Sequence, residues 1–222
     1  MKPESFETGS LAPPSFQFFT EIRSQYPPRK LFSSLISLFP DYRDHDTTLA
    51  PYSPVHRFIP ETTYIVTADT LYKAHYFKGH DRLNYLQNTL LELLLARGWT
   101  VHCWSVFVNH YHFIAGSPKS GSTISKLINE LHSTTSREMN ARDRVQGRQV
   151  WYQYWDTCLT YERSWLVRIN YVNNNPVKHR LVKTATQYPY CSASWFQQNA
   201  KPSFRRKVES FRFDRLKIID DF

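Results

Sequence analysis

Cysteine is scarce in this 222-residue chain: Cys103, Cys158 and Cys191 are the only three, and they lie far apart. An odd count without close pairs argues against a disulfide framework or a thiolate zinc site and favours a reducing, cytoplasmic setting. Also missing is any run of about 18 apolar residues, so nothing in the sequence is built to span a membrane. No secretion signal is expected, since Lys2 is followed by Pro3 and Glu4 with no apolar run behind them. Proline is rare after residue 60, because nine of the 13 fall before it. Internal repeats are absent.

What is present is apolar and basic. Hydrophobic residues make up 41% of the chain, which marks it as globular rather than disordered. Aromatics reach 16%, enough for a dense core or for a surface that stacks nucleobases. The net charge of +9 is uneven. Residues 1–60 hold six basic and six acidic side chains; residues 61–222 hold 22 and 13, so the whole excess sits there. A basic body points to a polyanionic partner.

Three regions follow from these biases. Residues 1–60 read as a Pro-rich N-terminal arm, in which residues 31–39 can form a short helix. Residues 61–196 read as the main domain, and 197–222 as a basic C-terminal tail, a candidate phosphate clamp carrying Lys201, Arg205, Arg206, Lys207, Arg212, Arg215 and Lys217.

Within the main domain, residues 64–67 are β-branched and read as a strand. Asp81 is a candidate N-cap for a helix marked by Leu83, Leu86, Leu90, Leu93 and Leu94, with Gly98 as its C′ residue. Residues 100–108 read as a strand buried on both faces, Asn109 as a bend and 110–115 as the next strand. Ile124, Leu127, Ile128 and Leu131 mark a second helix running towards Met139. A strand within 150–159 and a helix over 162–175 follow, with Pro176 expected to block continuation. The order β-α-β-β-α-β predicts an α+β fold, a ferredoxin-like antiparallel sheet with a following helix.

Two motifs carry chemistry. On a strand, His110 and His112 point to one side while Tyr111 points to the other, so two imidazoles can converge on one ion. Read alone the pair is weak, since zinc asks for a third ligand and none stands close in sequence. On the last helix, Tyr171 and Asn175 are one turn apart and share a face with Ser164 and Arg168. That face offers a hydroxyl that can attack a phosphate, an amide oxygen for a metal and a guanidinium for charge. Read alone, such a tyrosine is usually a packing residue with its hydroxyl at the rim.

The chain resembles the REP-associated tyrosine transposases, domesticated relatives of the single-tyrosine HUH transposases of bacterial insertion sequences. The resemblance covers about residues 61–196. It rests on Tyr64-Ile65-Val66-Thr67, Asn109-His110-Tyr111-His112-Phe113, Ser133-Thr134-Thr135-Ser136-Arg137 and Val150-Trp151. It is strongest over Tyr171-Val172-Asn173-Asn174-Asn175-Pro176-Val177-Lys178-His179 and Tyr188-Pro189-Tyr190-Cys191-Ser192-Ala193. Two positions depart from the family pattern: Val108 stands where proline is frequent, and Tyr111 where the central hydrophobe is usually aliphatic.

The resemblance implies that His110, His112 and Asn175 bind Mg²⁺ or Mn²⁺, with Asn175 in a place where the insertion-sequence relatives commonly keep Gln. It implies that Tyr171 is the nucleophile, on a catalytic helix, and that the substrate is single-stranded DNA beside a hairpin. Cleavage would leave a 5′-phosphotyrosine and a free 3′-OH. Arg168 and Lys178 can offset the charge of a phenolate, and Arg137, Arg142, Arg144 and Arg148 can bind the hairpin backbone. Trp151, Tyr152 and Tyr154 can stack unpaired bases. Monomer and dimer both occur among the relatives, and the short 159–164 linker favours a site built within one chain. The rival readings are a non-catalytic nucleic-acid-binding ferredoxin-like module, a phosphoesterase using His132-Ser133-Thr134, which lacks a second such motif, and a decayed transposase.

Overall fold

Four antiparallel strands form one sheet in the order β2-β3-β1-β4, built from β1 (Thr63–Thr70), β2 (Thr100–Val106), β3 (His110–Gly116) and β4 (Trp151–Cys158). This computed structural model describes residues 58–121 and 123–213; most of the 1–60 arm, its 31–39 helix included, and the tail beyond residue 213 lie outside them. Helix α1 (His80–Ala96) connects β1 to β2, and α2 (Ile124–Arg142) connects β3 to β4. After β4 come α3 (Glu162–Lys178), α4 (Ala193–Asn199) and α5 (Pro202–Glu209). The ferredoxin-like expectation holds, and so does the helix that follows it.

Side-chain alternation divides the sheet into two faces. Tyr64, Val66, Ala68, Trp104, Tyr111, Phe113 and Ala115 face α1 and α2, and all are at most 3% exposed. Trp104 donates its indole N–H to Gln87 of α1 at 3.0 Å, and Tyr154 donates to Ser125 of α2 at 3.0 Å. Leu86, Leu90 and Leu94 of α1 are fully buried; each contributes roughly 1.5–3 kcal/mol by leaving water. The opposite face carries Thr67, His110 and His112, and α3 lies across its β2 and β3 half.

Three boundaries differ from the sequence reading. Helix α1 begins at His80, one residue before the expected cap, because Gly79 takes a positive φ of 104° and Asp81 falls within the first turn. There its carboxylate favours the positive end of the helix dipole. Strand β2 ends at Val106, since Phe107 donates to the His110 carbonyl at 2.8 Å and turns the chain into β3. Helix α3 runs two residues past Pro176. Proline cannot donate to the Val172 carbonyl, and the Ser105 hydroxyl donates to it instead at 2.9 Å. Gly98 does close α1 with a φ of 74°, as expected.

Two partly buried imidazoles limit acid stability. The Trp165 indole donates to His102 Nδ1 at 2.9 Å, and burial pushes the His102 pKa down to about 4. His132 stacks on Trp151 at 4.4 Å with its Nε2 on the Tyr111 hydroxyl at 2.9 Å, and burial pushes it down to about 3. Both groups bind protons more readily in the unfolded chain, whose histidines titrate near 6.5. Their stabilisation is therefore complete above pH 6.5 and is lost as the pH falls towards 4. The urea midpoint should drop across that window by the equivalent of a few kcal/mol, and His132→Phe should flatten the slope. A midpoint that does not change between pH 7 and 4 contradicts this account.

Candidate active site

His110 and His112 open β3 on the face that α3 crosses, and both are fully buried. Their orientation is set through Nδ1. His112 Nδ1 lies 2.8 Å from the Thr67 hydroxyl, its directly opposite neighbour on β1. His110 Nδ1 lies 2.7 Å from Asn109 Oδ1. Engaging Nδ1 leaves Nε2 as the nitrogen that can ligate a metal, the usual way a supporting residue fixes a metal-binding tautomer. The His110 ring also stacks on Phe107 at 4.4 Å, and the two imidazoles stand 5.1 Å apart, centroid to centroid.

Helix α3 brings the second motif to the first. The Tyr171 ring approaches His112 edge-on at 5.5 Å, and Lys178 Nζ stands 5.0 Å over the Tyr171 ring. Asn175, one turn on, is fully buried. Arg168 is half-buried and bonds Ser164, so these two do share a face, and burial lowers the guanidinium's pKa. Tyr171 is only 1% exposed, and Phe213 meets its ring at 6.3 Å. Asn170 donates to the Phe211 carbonyl at 2.8 Å, so the residues after α5 fold back over α3.

The segment from Tyr188 to Ser192 holds this helix in place. Val106 N–H donates to the Tyr190 carbonyl and Ser192 N–H to the Trp104 carbonyl, both at 2.9 Å, which pairs the segment with the outer edge of β2. Ser192 then donates to Asn173 Oδ1 of α3 at 2.6 Å. An exposed edge is thereby covered and the C-terminal half of α3 is tied to the sheet.

The other candidate residues lie apart from this centre. Arg137 and Arg144 are exposed around the end of α2. Arg142 pairs with Glu138 at 2.7 Å and lies over the Tyr85 ring. Arg148 bonds Asp143 at 2.6 Å, joining a cluster with Arg82, whose paired guanidiniums hold the Asp143 pKa down to about 2. Among the proposed stacking aromatics, Trp151 is 5% exposed and Tyr154 is half-buried, because both face α2; Tyr152 is exposed. Trp151 is therefore a core residue, and Tyr154 packs against the core.

Sequence reasoning missed four neighbours of the site. Thr67 and Asn109 orient the imidazoles. Asp69 stands opposite His110 in register and pairs with Lys73 at 2.8 Å. His179, just past α3, puts its ring 5.2 Å from His110. Asn109 stands immediately before the histidine pair, and Thr67 and His179 lie within the stretches that carry the family resemblance; Asp69 carried no signal. Among the described residues, no three His, Cys, Asp or Glu side chains are grouped to hold a metal ion. Asn175, fully buried one turn after Tyr171, offers an amide oxygen as a further donor to the two imidazoles. Such a mixed nitrogen and oxygen set fits Mn²⁺ or Mg²⁺ better than a structural zinc.

Comparisons with known proteins bear on the same residues. The family model described as "Transposase IS200 like" matches residues 60–175, from just before β1 to Asn175. The REP-associated tyrosine transposase of Escherichia coli (strain K12) is 21% identical over 105 residues, covering 47% of this chain and 61% of that protein. The chain therefore matches less than two thirds of that relative's length. A solved structure of a REP-associated tyrosine transposase bound to a REP hairpin aligns with a TM-score of 0.50 at 17% identity. That alignment covers 83% of this chain and 95% of the other, and at this identity the likeness is one of fold.

Proposed function

The chain belongs to the IS200-like transposase family, and from that premise we propose that it cuts and rejoins one DNA strand beside a hairpin through a covalent link to Tyr171. The observation that carries the proposal is the 5.5 Å approach of the Tyr171 ring to His112, the second imidazole of the buried pair. Residues 59 positions apart in sequence meet there, on a frame that orients both.

In the proposed step, Tyr171 Oη attacks the scissile phosphorus. The O5′-side phosphate becomes esterified to the tyrosine and the bond from phosphorus to O3′ breaks. The phenol gives up its proton and O3′ gains one, so protons balance. The phosphodiester energy is stored for rejoining, in which the reverse displacement releases Tyr171. Lys178 holds positive charge against the ring on which negative charge develops.

His110, His112 and Asn175 would hold a divalent cation, Mn²⁺ or Mg²⁺, with imidazole favouring Mn²⁺. When bound, it would polarise the scissile phosphate and orient it for in-line displacement. Thr67 and Asn109 engage the two rings through Nδ1 and so set their orientation. Arg137 and Arg144 suit contacts to the hairpin backbone, since their guanidiniums are exposed. Arg142 and Arg148 can join them only by sharing or exchanging their carboxylate partners.

The test is incubation with labelled hairpin oligonucleotides carrying unpaired flanks, in Mn²⁺, followed by a denaturing gel. A labelled band at the mass of the protein is the expected result. Hairpin binding without any adduct across a panel of hairpins, with the metal shown to be bound, favours the non-catalytic binding module.

A further inference from the structure

We propose that Trp155 is the stacking platform for an unpaired nucleobase next to the scissile phosphate. The inference rests on the function proposed above and adds a residue that positions the substrate. Its basis is the register of the sheet. Trp155 stands directly opposite Thr67, and Thr67 directly opposite His112. Residues opposite one another in antiparallel strands share a face, so the three side chains form one row across β4, β1 and β3. The 2.8 Å contact between Thr67 and His112 Nδ1 follows from that shared face.

The row has a graded exposure. His112 is fully buried and Thr67 is 7% exposed, but Trp155 is 42% exposed. Helix α3 packs chiefly on β2 and β3, at the other side of the sheet from β4. An indole in contact with water therefore lies on the same face as the imidazole pair, two strands away. Neighbouring strands are about 4.5–5.5 Å apart at opposed Cα positions, so Trp155 is about 10 Å from His112 along the sheet. That is a span a dinucleotide bridges. Trp99, Trp104, Trp151 and Trp195 are buried, and Trp165 is half-buried with its N–H on His102. Trp155 is thus the most exposed of the six, and it sits at the edge of the proposed reaction centre.

An exposed tryptophan on an edge strand is a liability unless it has a partner. Nucleobases match it because every base presents a π-face, and the basic excess of residues 61–222 attracts the connecting phosphates. Stacking on an indole tolerates many sequences, so Trp155 would set the position of the strand more than the identity of the base.

The experiment uses the full chain as Tyr171→Phe, which cannot turn over and so reads binding alone. A hairpin with a short unpaired flank and the same hairpin without it are titrated while tryptophan emission is followed. The flanked hairpin should quench the emission, and the blunt one should not. Trp155→Ala in the same background should weaken the flanked hairpin about five- to a hundredfold, the measured range for one stacked base. It should leave the blunt hairpin unchanged, and Trp155→Phe should restore most of the loss. An abasic site walked along the flank should reproduce the loss at one position, and should cost nothing further in Trp155→Ala. Equal weakening of both hairpins, or no effect on either, overturns the inference while leaving the proposed nuclease intact. Absence of binding to either hairpin overturns the substrate reading and this inference with it.

Discussion

Tyr171→Phe should abolish the covalent DNA adduct and slow strand cleavage by at least about a thousandfold, while hairpin affinity changes by less than about threefold. The substitution removes one oxygen and nothing else. The ring keeps its edge contact with His112, its neighbour Phe213 and the Lys178 ammonium above it. Folding stability should therefore change by no more than about 1 kcal/mol, the net worth of a typical hydrogen bond. A thermal melt within a few degrees of the parent would show that the lost chemistry is not lost structure. If the phenylalanine variant still gives a labelled protein band, another nucleophile does the work and the reading of α3 is wrong.

The size of this effect follows from the kind of catalysis proposed. A residue that forms the covalent intermediate has no substitute, because without it the energy of the broken bond is not stored. Residues that only hold charge near the reaction, such as Lys178, should cost far less when replaced. That ordering, Tyr171 well above Lys178, separates a nucleophile from a packing tyrosine whose neighbour happens to be basic.

Much of this arrangement is legible in the sequence alone, for local reasons. Period-2 and period-3.6 patterns identified four strands and three main helices because each has one strongly apolar face. The pairing of His110 with His112 on one side follows from strand geometry alone. What remained hidden depends on register. Nothing near residue 67 in sequence announces a partner for an imidazole 45 positions away; only the β1–β3 pairing brings them together. The same pairing rule separated Trp155 from its neighbours Trp151 and Tyr154, which the sequence had grouped as stacking residues. Tyr154, opposite Ala68, faces α2 by plain alternation, and a register shift between Ala68 and Thr70 brings Trp151, three residues earlier, to that same face. The extension of α3 past Pro176 was hidden for the same kind of reason, since the carbonyl that proline leaves without an N–H is served from β2.

The imidazole pair carries the other large expectation. His112→Ala should weaken Mn²⁺ binding by more than about a hundredfold and reduce cleavage in parallel, because altering even the outer partner of a ligating histidine costs about 10- to 100-fold. The same reasoning places Thr67→Val inside that lower range: it keeps the side-chain volume and removes the hydroxyl at Nδ1. His112→Ala also empties a fully buried site in the sheet, at a cost of roughly 1–3 kcal/mol, so cleavage alone would confuse metal loss with unfolding. His112→Gln retains most of the bulk and a polar end and serves as the second variant. The deciding readout is the electron paramagnetic resonance signal of free Mn²⁺ during titration, which falls as the ion is bound and does not depend on turnover. Parent protein should deplete the signal at one equivalent, Thr67→Val at higher concentration, and both His112 variants hardly at all. Should His112→Gln bind Mn²⁺ as the parent does while cleaving no DNA, the imidazole serves the phosphate rather than a cation. The two-histidine, one-amide site would then have to be abandoned, although Tyr171 could still be the nucleophile.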